Sequence, residues 1–225
     1  MSTGSPSRLD RLLSLSLATA ALMLSAAVVK RVFIDDVVVP PPTTQQLIAV
    51  ERDDWNAALT HSVPWSGRGK QSALVVLFDV ECPYCREFHA GLKLLQREYG
   101  ERLSVSLLHF PLRMHPSARV GARVLECATA SGQQLHLLDS IYASQDSLAK
   151  VNWSLLAARV GVDTSSGFDA CVQSPASAVR VDSGVAIGRR IGATGTPTVL
   201  LNGHRLALPP SVEELRTIID SALDR

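Results

Sequence analysis

The stretch FDVECPYCREF, Phe78–Phe88, decides how this chain reads. Cys82 and Cys85 stand two residues apart, with Pro83 and Tyr84 between them. Upstream, Ala73–Val80 (ALVVLFDV) is a short, continuous, valine-rich apolar run, the pattern of a buried central strand. Downstream, Tyr84, Phe88, Leu92, Leu95 and Tyr99 recur at three- and four-residue steps, which predicts a helix ended by Gly100. Pro83 suits the first helical turn, where a missing N–H costs nothing. The pair therefore lies where a strand gives way to a helix. A cysteine there meets unpaired N–H groups and the positive end of the helix dipole, both of which favour thiolate over thiol. Cys82 holds that position, and Cys85, one turn further in, can resolve a mixed disulfide formed on it.

Other chemistries of a CxxC pair compete with this one. Zinc needs four ligands, commonly a second CxxC or closely spaced histidines. Cys127 and Cys171 instead stand alone, 42 positions beyond Cys85 and a further 44 beyond that. His89, His109, His115 and His136 have no ligand spacing, so no metal is expected. A purely structural Cys82–Cys85 bond closes too small a ring to remove much unfolded-state entropy. Redox exchange leads, and it implies no organic cofactor.

Outward from this junction, Leu103–Phe110 (LSVSLLHF) reads as a second strand and completes a βαβ unit. Residues 117–174 read as a helical block with starts at Ser117, Gly132, Asn152 and Ser165–Ser166; another helix follows Pro175. TPTVLLNG and HRLALP form a hairpin about Asn202–Gly203, and Ser211–Glu214 is a capping box opening the last helix. Proline at the entrance to a strand marks an edge, a bulge, a cis bond or a plain strand opening. At Thr196–Pro197, a cis bond would offer the Thr196 backbone to an incoming peptide. The expected fold class is α/β, one domain over residues 47–225 split by a helical insertion at about 117–174.

Composition narrows the partners. Of 22 basic and 21 acidic residues, Arg8, Arg11, Lys30, Arg31 and Asp10 precede residue 32, leaving 18 against 20. Nothing in that balance argues for a nucleic-acid surface, which needs clustered positive charge, and no nucleic-acid partner is expected. Leu12–Val29 carries no charge and as a helix would reach about 27 Å, enough for a hydrocarbon core. Basic residues at both ends favour an uncleaved anchor within residues 1–31 over a cleaved signal peptide; a buried core helix is the third alternative. Residues 32–46, with Pro40–Pro42, read as a semi-rigid polyproline spacer. Either leading reading delivers the rest across a membrane.

Strand–CPYC–helix, an internal helical block and GTPT before a hairpin together resemble the DsbA-like thiol–disulfide oxidoreductases of the thioredoxin superfamily, from about Trp55 to the C-terminus. The match is to the branch with ECPYCREFH, here Glu81–His89. The resemblance implies a thioredoxin fold with a helical insertion, Cys82 as exposed nucleophile, Cys85 as resolving cysteine and Pro197 in cis opposite them. Its prototype has histidine where this chain has neutral Tyr84, which implies a milder oxidant. Pro83–Tyr84 is shared with glutaredoxins, and Thr196 before the proline with reducing or isomerising relatives.

Asp79 and Glu81 flank the junction and, by strand alternation, point to one side. Asp79 is expected to relay a proton to Cys85; Glu81 is as well explained by solvation. His89 reads as a solvated helix residue, and Trp55, Trp65 and Trp153 as packing residues. Cys127 and Cys171 are expected to form a structural disulfide between insertion helices, as in some relatives, worth about 4 kcal/mol for a loop of this length. Two free buried thiols, or a second redox pair, are the alternatives. The expected activity is exchange with reduced or misoxidised protein substrates in the bacterial cell envelope, as a membrane-anchored extracytoplasmic oxidase reoxidised by a quinone-linked membrane partner. If the N-terminal segment is cleaved, the product is periplasmic or secreted. A reductase or isomerase supplied by a membrane donor, and a non-catalytic tethered peptide-binding module, are the alternatives.

Overall fold

The computed structural model describes residues 45–66 and 71–224, together with Met23 and Ser25. The expected anchor or signal segment at 12–29 and the proline spacer lie outside the described residues, apart from Met23, Ser25, Gln45 and Gln46. Among the described residues, no helix is long and apolar enough to cross a membrane.

In chain order the elements are β1 (Leu47–Ala49), α1 (Arg52–His61), β2 (Val63–Ser66), β3 (Ser72–Phe78), α2 (Pro83–Tyr99) and β4 (Leu103–His109). The insertion carries α3 (Ala118–Cys127), α4 (Gln134–Ala143), α5 (Trp153–Arg159) and α6 (Phe168–Gln173). Then come α7 (Pro175–Arg190), β5 (Thr198–Leu201), β6 (His204–Leu206) and α8 (Val212–Leu223). The strands form one mixed sheet in the order β1-β6-β5-β3-β4-β2. Among the described strands only the β3–β4 pairing is parallel, as the intervening α2 crossover requires.

Side chains alternate across β3. Leu74, Val76 and Phe78 enter a core shared with α2, the insertion and α8. Val75 and Leu77 enter a second core with Ala58 of α1 and Ile187 of α7. Glycine lets α7 approach closely: a Cβ at Gly184 would overlap the His109 carbonyl oxygen, and one at Gly188 the Phe110 ring. The Asn202–Gly203 turn has φ of 49° and 81°, the left-handed pair a two-residue hairpin needs.

Several local expectations are corrected. β3 stops at Phe78 rather than Val80, because the Phe78 carbonyl takes the Phe110 N–H and the chain then turns. Asp79 and Glu81 therefore lie in the turn before α2, and strand alternation does not govern them. Ser117 makes no side-chain cap, and α6 starts from Gly167 at φ 80° rather than from Ser165–Ser166. Asn152 and the Ser211–Glu214 box do cap their helices. The edge strands β1 and β2 are additional to the expected elements.

Candidate active site

Three elements converge at the C-terminal end of β3. The turn 79–81 delivers Cys82 to the N-cap of α2, with Pro83 in the first helical turn. β5 pairs antiparallel with β3 so that Thr198 sits beside Leu77, which brings the preceding Thr196–Pro197, a cis peptide, to the same end. The insertion closes over the turn: Gln145 Nε2 donates to the carbonyls of Val80, at 3.0 Å, and Cys82, at 2.9 Å.

Both cysteines are thiols here. Cys82 is only 3% exposed, which corrects the exposed nucleophile implied by the resemblance. Its Sγ–H donates to the Thr196 carbonyl at 3.3 Å, so the cis-proline loop lies against the sulfur. Beside that loop opens a groove of about 510 Å³ lined by Tyr84, Glu87, Thr196, Pro197, Pro209 and Val212. Tyr84 is 70% exposed on its rim. An extended substrate can lie in this groove, but it must displace the Thr196 contact to reach the sulfur.

The Cys82 thiol is held down at about 6, from an ordinary 9.0. The largest influence is the hydrogen bond from the Cys85 thiol; burial opposes it, and the Thr196 side chain and the backbone N–H groups of Cys85 and Tyr84 add to it. The helix terminus thus contributes as expected, but the neighbouring thiol contributes more. Ionisation trades the Thr196 carbonyl for these donors. Thr196 Oγ1 is buried and otherwise lacks a hydrogen-bond partner, which suits it to that exchange. Burial pushes the Cys85 thiol far up, and the charge on Cys82 adds to this. One sulfur is ready to attack and the other holds its proton.

Asp79 is fully buried but already occupied. Its Oδ1 accepts the Glu81 N–H, and its Oδ2 accepts the Leu112 N–H and pairs with His115 Nδ1, each at 2.7 Å. Glu81 accepts the Ser117 N–H at 2.6 Å. Both acids fasten the turn to the loop after β4, a structural duty in place of the expected relay and solvation.

His89 overturns the expectation of a solvated residue. It is 7% exposed, its ring stacks on Trp65 at 4.5 Å, and its Nε2 lies 2.6 Å from Asp139 Oδ1. The sequence does not single out Gln145 or Tyr142 either, whose hydrogen-bond partners, Val80 and Cys82 for the one and the Asp79 carbonyl for the other, are more than 60 positions away; for His89, the i, i+4 step from Cys85 is the available signal. Cys127 and Cys171 form a disulfide between α3 and α6, remote in sequence from the CxxC turn. Among the described residues, no three His, Cys, Asp or Glu side chains gather as metal ligands.

Comparison with known proteins places this geometry. A thioredoxin family model matches residues 63–221. Solved structures of like fold include BdbD from Bacillus subtilis in its oxidised form (13% identical, 80% of this chain and 100% of that one, TM-score 0.69). The catalytic domain of Proteus mirabilis ScsC is another (16% identical, 77% and 96%, TM-score 0.65). A thioredoxin-like oxidoreductase from Silicibacter pomeroyi is a third (17% identical, 76% and 98%, TM-score 0.64). Among curated proteins, the Na(+)/H(+) antiporter NhaA of Herminiimonas arsenicoxydans is 32% identical over 136 residues, which are 60% of this chain and 21% of that protein. NhaA 3 of Salinispora tropica is 30% identical over 159 residues, 69% of this chain and 24% of that one. The chain thus spans about a quarter or less of these relatives' length, and antiport is named for those proteins alone. With most of its described residues matched, the chain belongs to the thioredoxin family, and its fold is that of the DsbA-like thiol–disulfide oxidoreductases.

Proposed function

We propose that this protein exchanges disulfides with protein substrates through Cys82 and Cys85, working as an oxidase outside the cytoplasm. The observation that carries the reading is the contrast between the two sulfurs: Cys82 lowered to about 6 at the N-cap of α2, Cys85 raised by burial one turn away. In the oxidising direction a substrate thiolate attacks Cys82 in the Cys82–Cys85 disulfide, and Cys85 leaves. A second substrate thiolate then attacks the substrate sulfur of the mixed disulfide, so the substrate disulfide forms and both enzyme sulfurs end reduced. Stabilising the Cys82 thiolate stabilises the reduced enzyme and makes its disulfide the better oxidant; neutral Tyr84, in place of a histidine between the cysteines, keeps that oxidant mild.

The apolar run 12–29 supports a membrane tether, and the Cys127–Cys171 bond supports an oxidising compartment. A quinone-linked membrane protein is the reoxidant that this arrangement calls for.

The test is refolding of a reduced, disulfide-containing substrate by the oxidised protein. Cys82→Ser abolishes it if the reading is right; equal activity of wild type and variant points to a peptide-binding module. Thiol trapping in intact cells fixes direction: a mainly oxidised Cys82–Cys85 pair supports an oxidase, a mainly reduced one a reductase or isomerase.

A further inference from the structure

Cys85 must lose a proton each time it attacks and regain one each time it leaves, yet it is 3% exposed and its thiol is pushed far up by burial. Asp79, buried in the turn before α2, is fully engaged by the Glu81 and Leu112 N–H groups and by His115. Another ionisable group shares the chamber. Cys85, His89 and Tyr142 line one small cavity of about 10 Å³ under the active helix, closed by apolar walls that include Val76, Phe78 and Pro197. That volume is about the room one water needs.

We propose that His89 carries the Cys85 proton, with Asp139 holding the imidazole and linking it to solvent. This rests on the disulfide-exchange reading above. The placement follows from sequence: Cys85 and His89 are four apart on α2 and share a face. Asp139 and Tyr142 are three apart on α4 and reach the same ring from the insertion side. With Nε2–H donating to Asp139 Oδ1 at 2.6 Å, Nδ1 is the basic nitrogen. Asp139 is about one-third exposed and also receives Lys93 Nζ at 2.6 Å, so the pair reaches the surface.

The groups facing His89 set its protonation. Burial lowers its affinity for a proton, Asp139 on α4 raises it and Lys93 on α2 lowers it; the net direction is down, so the imidazole is neutral and able to accept. Tyr142 on α4, 5.1 Å away, keeps its proton because burial raises it. Trp65 on β2 contributes an uncharged stacked ring.

The steps balance. In the reduced enzyme, the Cys82 thiolate attacks a substrate disulfide, forms a mixed disulfide and releases one substrate thiolate. Cys85 then passes its proton to His89, and its thiolate attacks Cys82. The Cys82–Cys85 bond forms, the second substrate thiolate leaves, and the enzyme dithiol has given two electrons to the substrate. In the oxidising direction the bond breaks, and Cys85 recovers its proton from His89.

The experiment follows both steps by acid-quenched mass spectrometry, mixing the reduced full chain with a disulfide-linked pair of short unstructured peptides. His89→Phe keeps the stack on Trp65 but removes the base. The expected result is mixed-disulfide formation within twofold of wild type and release slowed about 10²-fold near neutral pH, the gap closing as hydroxide takes over at high pH. Asp139→Asn, at a partly exposed position, retains the imidazole but lowers its proton affinity, so the release profile moves to lower pH. Unchanged release in both variants overturns the proposal, and so does equal slowing of both steps at every pH. A wild-type chain that forms no mixed disulfide overturns the exchange reading itself.

Discussion

Gln145 Nε2 stands 2.9 Å from the Cys82 carbonyl oxygen, so a residue of the insertion holds the backbone at the N-cap of α2. The same amide nitrogen holds the Val80 carbonyl, and Gln145 is itself buried. Replacement by leucine leaves the buried Val80 carbonyl short of its donor, while the Cys82 carbonyl keeps the N–H groups of Cys85 and Arg86. We expect Gln145→Leu to cost about 2 kcal/mol in urea unfolding and to speed alkylation of Cys82 by loosening the turn. Unchanged stability and unchanged alkylation would show that the clamp is idle.

Alkylation of the reduced protein by iodoacetamide should rise through a midpoint near pH 6, where Cys82 ionises. Since the Cys85 hydrogen bond is the largest influence, Cys85→Ala should move that midpoint upward. A midpoint that stays put assigns the acidity to the Thr196 side chain and the helix terminus instead.

The same shift links stability to pH. Cys82 has a folded value of about 6 against an ordinary 9.0, so between these limits the unfolded chain binds more protons. The reduced protein gains stability as pH rises through this window and loses that gain as pH falls back to 6. Cys85 is shifted the other way, and its contribution is lost only above its ordinary value. Urea titrations of wild type and Cys82→Ser at pH 6 and 8.5, both reduced, read the difference; equal slopes refute the Cys82 linkage.

Removing the Cys127–Cys171 bond frees a loop of sequence separation 44 in the unfolded chain. Replacing both residues by alanine should cost about 4 kcal/mol while leaving the Cys82 alkylation midpoint in place. A midpoint that moves with the double replacement would couple this bond to the redox turn.

Gly184 lies against the His109 backbone, where a methyl group has no room and no flexible side chain to push aside. Gly184→Ala should cost about 3 kcal/mol by forcing α7 off the sheet, even though alanine is the better helix former. A stabilised variant would show that the helix shifts freely.

The parts of the site legible in the sequence are those encoded over a few neighbouring residues. The apolar run into Cys82, proline in the first turn, the Asn202–Gly203 turn and the Ser211–Glu214 box each carry their own chemistry. What was hidden depends on distant partners. Nothing near Gln145 announces that it will meet Cys82, and nothing near Asp79 announces His115. Val80 continues the apolar pattern of β3 past Asp79, so the strand reads two residues too long. The short β1 and β2 gave too little alternation to register. The resemblance implies an open Cys82, and nothing in residues 79–85 tells of the loop that comes to rest on it from residue 196.

Pro64 in β2, beside an irregularity in its pairing with β4, and the three-residue β1 at the opposite margin leave the sheet with short or broken outer rims. A second chain laid against either flank finds too few free amides and carbonyls to zip onto, so it gains little by growing there as a fibre. Blunted rims of this kind also disfavour the joining of two copies of the chain edge to edge.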